Sequence, residues 1–279
     1  MTKSSHDHDQ AEAITVEEMT GTTIPDSPRT NGSKNAFTEL MSKKVKVSPS
    51  KPKRDQRKQL YFHGRDGLGA YTADPDAFPS SRVIYHNERA VFINDMYPKS
   101  SVHTLVLPKS PRNILHPFEA FEDPHLLAET IEEVEKAKVM VASELRRRFG
   151  KFSASDRPRL EAMESDDPPD EMPAGRDWKK DVIAGIHAGP SMNHLHVHVM
   201  SRDMVNECLK SHGHYQSFTT PFLVRLEEFP LADYDVRRKR DRGGYLQDEM
   251  HCWRCGKEFD RWSSLKRHLQ DEFEEWKRE

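Results

Sequence analysis

The chain has 279 residues, of which 35% are apolar, 32% are charged and three are cysteine, and its net charge of −3 excludes no class of partner. Typical soluble domains are about 45–50% apolar with glycine counted and about 25% charged, so this chain cannot be packed core throughout and must include tails or linkers. It has no stretch near the roughly 20 apolar residues of a membrane helix, no signal peptide pattern and too few cysteines for a disulfide framework, which together predict a soluble, intracellular protein.

Two polar segments precede the first globular pattern. Residues 1–35 are rich in Ser, Thr, Asp, Glu, Pro and Gly and lack apolar periodicity, which predicts a disordered tail. Residues 36–59 are predicted to form a basic linker, in which the run from Lys43 to Lys58 carries eight Lys and Arg side chains against Asp55, a net charge of +7. Such a run fits a solvated linker, a nuclear import signal or a phosphate-binding arm equally well.

A globular domain is predicted over residues 60–228. Its first half contains three apolar runs bounded by turn residues, which predict the strands Val83–Tyr85, Ala90–Ile93 and His103–Leu107, the first two joined as a hairpin. Asp123 as N-cap and Pro124 at the first helical position then predict a long helix that ends at Gly150.

The second half of this domain contains an acidic insertion and two further strands. Residues 153–176 are predicted to form a surface insertion, because residues 156–171 carry seven Asp and Glu side chains against two Arg, a net charge of −5. Val182–Ile186 and His194–Met200 are predicted strands on either side of a turn. A sheet with one long helix defines the α+β class.

Three histidines alternate with aliphatic residues in the predicted strand His194–Met200. Strand side chains point alternately to opposite faces, so the imidazoles share one face while Leu195, Val197 and Val199 share the core face. Imidazoles at positions i and i+2 suit a zinc or copper site, and they equally suit nucleophilic and acid–base chemistry on a phosphate. The residues alone leave both interpretations open.

This segment resembles the histidine triad superfamily, whose motif is His-x-His-x-His and whose substrates are nucleotide phosphates. The flanking residues are more similar still to the aprataxin branch of that superfamily, the DNA-adenylate hydrolases. The similarity rests on Asn94–Lys99, His103–Pro108, the pair His187 and Ala188 upstream of the triad, Ser191–Asn193 and parts of the stretch 201–218. It implies a histidine-triad antiparallel sheet with a long helix, over about residues 80–228, plus the C-terminal module.

The resemblance also implies roles for four histidines. His196 is the expected nucleophile, which attacks the α-phosphorus of AMP and forms an AMP–histidine intermediate. His187 is the expected general acid for the departing DNA 5′-phosphate. His198 is expected to donate to phosphate oxygens, and His194 to orient the nucleophile. No metal is expected at the triad.

Two groups of binding residues follow from the same resemblance. Asp95 is expected to accept hydrogen bonds from the ribose hydroxyls. The full predicted AMP-binding group is Asp95, Ser191, Met192 and Asn193, and the predicted phosphate or DNA contacts in this domain are Lys99, His103, Lys210 and His214. Without the resemblance, Asp95 is an ordinary turn residue and each lysine is solvated surface.

Residues 229–279 are predicted to form a basic linker and a zinc-finger module. Cys252, Cys255 and His268 have the spacing of a Cys2His2 finger, and the small-core positions between them hold Phe259 and Leu265. We therefore expect one structural zinc ion per chain, and we expect the finger to fold only with its metal.

The fourth zinc ligand departs from the usual pattern, because no histidine follows His268 at the required distance. Glu272 lies one helical turn further on and faces the same way, so it is the predicted ligand, with Asp271 or water as the alternatives. Arg261 and Arg267 lie on the helix face that contacts DNA in tandem fingers, and we expect them to contact the DNA backbone here.

One main hypothesis and two alternatives emerge. The first is a monomeric nuclear hydrolase that removes AMP from 5′-adenylated ends of nicked or broken DNA after abortive ligation, in single-strand break repair, with no membrane partner. The second is a general hydrolase of small adenylates, which leaves the finger and the basic runs unexplained. The third is a non-catalytic DNA-end-binding adaptor, which leaves the complete set of histidines unexplained. The preference among adenylated DNA, RNA–DNA junctions and 3′-guanylated ends stays open.

Overall fold

The computed structural model describes residues 64–239 and 242–279. The predicted tail over 1–35 and the predicted basic linker over 36–59 lie outside the described residues. Within the described ranges, no helix combines the length and the apolar character needed to cross a bilayer.

A six-stranded antiparallel sheet forms the centre of the molecule, with the spatial order β1-β2-β3-β5-β4-β6. The strands are β1 (Val83–His86), β2 (Ala90–Asn94), β3 (His103–Pro108), β4 (Val182–His187), β5 (Val197–Ser201) and β6 (Leu223–Val224). The predicted hairpin is confirmed, since His86 pairs with Val91 across its turn. The edge strand β6 was not predicted, and it approaches β4 so closely that a Cβ atom on Gly185 would lie 2.7 Å from the Val224 oxygen.

The histidine strand begins three residues later than predicted, at Val197 rather than His194. The Leu195 N–H donates to the Asn113 carbonyl at 2.6 Å instead of to a neighbouring strand. The ring of His196 bonds to the carbonyl of His194, which replaces a further ladder bond. The predicted aliphatic side remains buried in the core: Leu195, Val197 and Val199.

The long helix covers one face of the sheet. The helices are α1 (Gly69–Ala73), α2 (Pro117–Ala120), α3 (Pro124–Phe149), α4 (Arg157–Glu164), α5 (His212–Thr219) and α6 (Trp262–Trp276). As predicted, α3 begins after Asp123, whose carboxylate accepts from the N–H of His125 at 3.0 Å, and it ends before Gly150. Its buried residues, among them Val134, Val141 and Leu145, join the main core.

A smaller apolar cluster occupies the other face of the sheet. It consists of Leu68, Val83, Val91, Ile93, Leu105 and Leu107, with Tyr71, Phe78 and Met192 packed at its edge. Leu105 pairs with His198 across β3 and β5, so this cluster and the imidazoles share one face. An apolar surface therefore borders the histidines.

The acidic insertion has an exposed middle, as expected for a surface segment, but buried ends. It also contains the short helix α4. At its ends, the Asp156 carboxylate accepts from the Arg176 N–H at 2.8 Å and from Trp178 Nε1 at 2.6 Å. These bonds attach both ends of the insertion to the main core.

The C-terminal module is continuous with the domain rather than separate from it. It consists of a two-stranded hairpin, β7 (Met250–His251) and β8 (Glu258–Phe259), followed by α6. Leu265 and Leu269 of α6 pack in one cluster with Met200 and Tyr215 of the domain. The finger therefore shares part of its core with the domain, in addition to the metal site that the sequence predicts.

The end of α6 reaches into the main core. Trp276 is 1% exposed, and its ring centroid lies 5.7 Å from that of Trp178. The Arg176 guanidinium lies between the two indoles, 4.1 Å from the Trp178 ring and 4.8 Å from the Trp276 ring. It also donates to the Trp276 carbonyl at 2.5 Å and to Asp181 at 2.9 Å. The finger helix is thus fixed to the domain by packing and by charge-assisted hydrogen bonds.

Candidate active site and zinc site

The predicted nucleophile, His196, has a fixed tautomer. Its Nδ1 lies 2.7 Å from the His194 carbonyl oxygen. A carbonyl can only accept, so Nδ1 carries the proton and Nε2 keeps its lone pair. Burial lowers the pKa of His196, with the bond to the His194 carbonyl opposing that shift. The result is a neutral imidazole with one nitrogen available for attack.

A second series of hydrogen bonds fixes the proton of His198. The Lys99 N–H donates to His103 Nδ1 at 3.0 Å, so neutral His103 carries its proton on Nε2. That Nε2 lies 2.9 Å from His198 Nδ1 and donates to it. His198 therefore carries its own proton on Nε2, which is buried and has no hydrogen-bond partner among the described residues. An N–H donor is thus oriented into the cluster.

The predicted general acid, His187, lies beside His198, with 4.6 Å between the ring centroids. It is hydrogen-bonded to the Ser217 backbone through Nδ1, since its buried Nε2 has no partner within the described ranges. Burial, together with the neighbouring imidazoles and Lys99, lowers the pKa of His187 to about 3. His187 is therefore neutral in the free protein and gains a proton only when a negative charge lies beside it.

One aromatic residue, Phe218 of α5, covers three imidazoles. Its ring centroid lies 4.6 Å from His187, 5.0 Å from His198 and 5.5 Å from His103. Phe218 therefore contributes to the burial of these three imidazoles. Sequence reasoning gave Phe218 no role, because a lone aromatic residue in an eight-residue helix has no periodic signal.

The buried imidazoles predict a loss of stability in acid. Burial lowers the pKa of His103 to about 4 and that of His187 to about 3 from the ordinary value of 6.5. Between these values and pH 6.5 the unfolded chain takes up protons that the folded chain does not. The free energy of unfolding therefore decreases as the pH is lowered below 6.5, by about 1.4 kcal/mol per pH unit for each group.

Urea unfolding at pH 6 and pH 5 measures this effect. The variant His187→Asn lacks one of the buried imidazoles that take up a proton on unfolding, so its dependence on pH is expected to be weaker than that of the wild type by about 1.4 kcal/mol per pH unit. Acid effects on the zinc site are common to both proteins and cancel in the comparison. Equal pH dependence in the two proteins would contradict the prediction.

The predicted AMP-binding residues lie on two sides of the imidazole cluster. Asp95 is on the His103 side, where its Oδ2 lies 3.3 Å from His103 Nε2 and its Oδ1 accepts from the Tyr97 N–H at 2.8 Å. Met192 is on the other side and packs against the apolar cluster that borders the histidines. Ser191 is exposed on the loop before the triad.

The loop before the triad is held by a turn distant in sequence. The Asn193 N–H donates to the Arg65 carbonyl at 2.9 Å, and its side-chain amide donates to Asp66 at 2.8 Å. Arg65 Nε in turn donates to the Ser191 carbonyl at 2.8 Å. The Asp66 charge also opposes the effect of burial, which lowers the pKa of His194. Neither Arg65 nor Asp66 was predicted, because no local pattern links residues that are more than 120 positions apart.

Two predicted phosphate contacts, Lys99 and His103, are buried in the cluster. Lys99 is 5% exposed, and its ammonium lowers the pKa values of His103 and His187. Lys99 is thus near enough to the imidazoles for its charge to act on them. The His103 side chain, by contrast, has no exposed surface and both its nitrogens are bonded. In this arrangement it positions His198 rather than contacting a phosphate.

The remaining predicted DNA contacts lie at the junction with the finger and along α6. Lys210 is exposed, its N–H donates to His214 Nδ1 at 3.3 Å, and its carbonyl accepts from Trp262 Nε1 at 2.9 Å. Arg261 immediately precedes Trp262, so it also lies at this junction. Arg267 is exposed further along α6, and no described contact connects it to the imidazoles.

Four donor side chains of the finger meet in one group: Cys252, Cys255, His268 and Glu272. Their ligand atoms all lie within 4.8 Å of one another, with Cys255 Sγ 3.1 Å from His268 Nε2 and that nitrogen 3.2 Å from Glu272 Oε1. Ligand atoms about 2.0–2.3 Å from a tetrahedral zinc ion lie at comparable separations. The group therefore fits zinc.

The surroundings of this group favour Glu272 as the fourth ligand. Asp271 is exposed and lies outside the group. Arg254 donates to the other carboxylate oxygen of Glu272, which orients it. The turn between the cysteines is closed by the Gly256 N–H, which donates to the Cys252 carbonyl at 2.9 Å, and glycine suits the positive φ of 73° at that position.

Comparisons with known proteins agree with both sites. A HIT domain model matches residues 79–205, and a C2HE / C2H2 / C2HC zinc-binding finger model matches residues 219–275. The fold and the two sites thus define a histidine triad protein with a C-terminal zinc-binding finger. The Aprataxin-like protein of Schizosaccharomyces pombe is 32% identical over 247 residues, which cover 87% of this chain and 94% of that protein. The chain belongs to the aprataxin-like family.

Other relatives extend this comparison. The Aprataxin-like protein of Saccharomyces cerevisiae is 29% identical over 221 residues, which cover 75% of this chain and 95% of that protein. The crystal structure of the aprataxin ortholog Hnt3 in complex with DNA matches with a TM-score of 0.58 and 30% identity, over 76% of this chain and 96% of that one. The predicted family and fold class are confirmed.

Proposed function

We propose that the protein hydrolyses the 5′–5′ pyrophosphate linkage of adenylated DNA ends left by abortive ligation, releasing AMP and a ligatable 5′-phosphate. The observation that carries the proposal is that the two histidines carry their protons on different ring nitrogens. His196 has an unprotonated Nε2, and the neighbouring His198 has a protonated Nε2 that can donate. The similarity to a family member whose structure contains DNA supports DNA as the substrate. Action in single-strand break repair in the nucleus is part of the proposal, and the basic run at 43–58 is compatible with import.

The first step forms a covalent intermediate. The Nε2 lone pair of His196 attacks the α-phosphorus, a P–N bond forms, and the bond from that phosphorus to the bridging oxygen breaks. The electron pair goes to the oxygen of the departing DNA 5′-phosphate. The negative charge of the bound phosphates raises the pKa of His187, which can then give its proton to that oxygen.

The second step returns the enzyme to its starting state. His187, now neutral, accepts a proton from water, whose oxygen attacks the phosphorus of the intermediate. The P–N bond breaks, its electron pair returns to His196 Nε2, and AMP leaves. His196 keeps its Nδ1 proton on the His194 carbonyl through both steps, so its orientation does not change.

The remaining residues stabilise charge and place the nucleoside. The His198 Nε2–H and the buried Lys99 ammonium neutralise charge on the non-bridging oxygens. The apolar cluster on the same face offers a surface for adenine, and Asp95 offers an acceptor for the ribose hydroxyls. Zinc at the finger would supply structure rather than chemistry, because all four protein donors are used.

The protein trapped during turnover tests this proposal. Rapid mixing with adenylated DNA and quenching in base, followed by peptide mass spectrometry, is expected to give an adenylyl adduct on His196. AMP release without an adduct would contradict the proposed covalent mechanism. Turnover of a small adenylate but not of adenylated DNA would favour the general hydrolase, and DNA binding without turnover of either would favour the adaptor.

Replacement of His103 tests the hydrogen-bond series that fixes His198. His103→Leu removes the donor to His198 Nδ1, so we expect kcat to fall by roughly 10–100-fold with little change in KM. His103→Gln supplies an amide donor and is expected to retain more activity. Nitrogen chemical shifts of His198 report its tautomer directly, and an unchanged tautomer in His103→Leu would contradict this role.

A further inference from the structure

A basic cavity of about 320 Å³ lies at the end of β4, one residue from the imidazole cluster. Ala188, which lines the cavity, directly follows His187 in the chain. The opposite walls come from the start of α2, with Phe118, and from the segment 237–239 that leads to the finger. The cavity therefore begins at the residue that follows the proposed general acid, where the Ala188 and Phe118 side chains belong to the main core cluster.

The positive charges on the cavity wall differ in how far they are compensated. Arg237 pairs with Glu228 at 2.7 Å and with Asp235 at 2.8 Å. Arg238 and Lys239, which lie next to it, form no ion pair with a carboxylate among the described residues. These two side chains carry the least compensated positive charge of the cavity wall, although Arg238 is near enough to Asp235 to help lower the pKa of that carboxyl.

The Arg238 side chain is held in place, but not all of its N–H donors have a hydrogen-bond partner. Its guanidinium lies 5.5 Å from the Phe118 ring centroid and donates to the Leu231 carbonyl at 2.8 Å. Its Nε is buried and has no hydrogen-bond partner within the described parts of the chain. A pre-positioned guanidinium with an unused donor is the usual arrangement for binding an anionic oxygen.

The rest of the wall adds one donor and one acid. The Nδ1 of His116 accepts from the Phe118 N–H at 3.3 Å, so neutral His116 carries its proton on Nε2. The acid is Glu119, which is exposed. The wall therefore favours an anion, with Glu119 opposing it.

We infer that this cavity binds a phosphodiester of the DNA strand whose adenylated 5′ end lies in the imidazole cluster, and this inference rests on the proposed function. The apolar cluster beside Met192 lies on the adenosine side of the reacting phosphorus, and His187 on the side where the DNA departs. A strand that continues past the end of β4 meets Ala188 and then Arg238 and Lys239. The cavity thereby distinguishes an adenylated polymer from a small adenylate.

The double variant Arg238→Gln/Lys239→Gln tests the inference against substrates of different length. With a 5′-adenylated ten-nucleotide DNA we expect KM to rise about 10-fold and kcat to stay constant, because phosphate contacts add to binding without touching the reacting atoms. With a 5′-adenylated mononucleotide, neither constant is expected to change. An equal effect on both substrates would overturn the inference.

Binding measured without turnover keeps the test independent of the proposed function. Fluorescence anisotropy with a 5′-phosphorylated ten-nucleotide DNA is expected to show a weaker dependence of log Kd on log salt in the double variant, by about one to two. The control is Lys151→Gln/Arg157→Gln, which also removes two positive charges from exposed side chains. Glu119→Gln is expected to tighten binding. If the double variant binds like the control, the cavity does not hold the strand. If the wild type binds as expected but releases no AMP from any substrate, the cavity stands and the proposed activity fails.

Discussion

Replacement of His196 by alanine is expected to lower the rate of AMP release from adenylated DNA by at least about 10⁴-fold, because no other group can form the covalent intermediate. The carbonyl bond at Nδ1 of His196 leaves a lone pair on its Nε2, beside the N–H donor of His198. DNA affinity is expected to change by less than about twofold, since the strand is bound mainly through its phosphates. Single-turnover kinetics and anisotropy measure the two quantities.

A matched control separates this effect from the loss of any imidazole. His125 lies at the start of α3 with 82% of its side chain exposed, so His125→Ala removes the same groups far from the cluster. It is expected to leave both quantities unchanged. Substantial turnover by His196→Ala would show that the reaction proceeds by direct attack of water.

Loss of zinc is expected to lower the melting temperature by about 10 °C or more, since a stabilisation of several kcal/mol disappears with the metal. The α6 helix holds two of the four ligands and also carries Leu265 and Trp276 into two apolar clusters of the domain. Its loosening therefore disturbs packing well beyond the finger. Calorimetry of the protein before and after chelation measures the change.

The neighbouring acids of α6 offer a matched pair for the fourth ligand. Glu272→Gln is expected to weaken zinc binding by at least about 10-fold, because it replaces a charged ligand by a neutral amide. Asp271→Asn makes the same chemical change on an exposed side chain and is expected to have no effect. Competition with a chromogenic chelator measures the zinc affinity of both variants. Equal affinities would indicate that water, rather than Glu272, is the fourth ligand.

The parts of the structure that were predicted correctly are those with local signals. The cap of α3 at Asp123, the first hairpin and the cysteine spacing each depend on residues a few positions apart. The start of β5 was wrong because the competing partner of Leu195 is the carbonyl of Asn113, about 80 positions away. Pattern rules contain no information about such a partner.

The candidate site shows the same division. The triad and His187 are visible in the sequence because strand alternation and the family motif are local. The placement of His103 is not, since it depends on a hydrogen bond to His198 across two paired strands. A buried histidine and a phosphate-binding histidine look the same in a sequence, and only the positions of both ring nitrogens distinguish them.

The attachment of α6 changes how truncated forms of the protein should be interpreted. Removing residues 229–279 takes away more than a DNA-binding module, because it also extracts an indole from the centre of the fold and leaves the Arg176 charge beside Trp178 without its carbonyl acceptor. A shortened protein that fails to act on DNA is then equally well explained by a damaged catalytic domain. Point substitutions on the exposed face of α6 are the informative way to separate substrate recognition from folding.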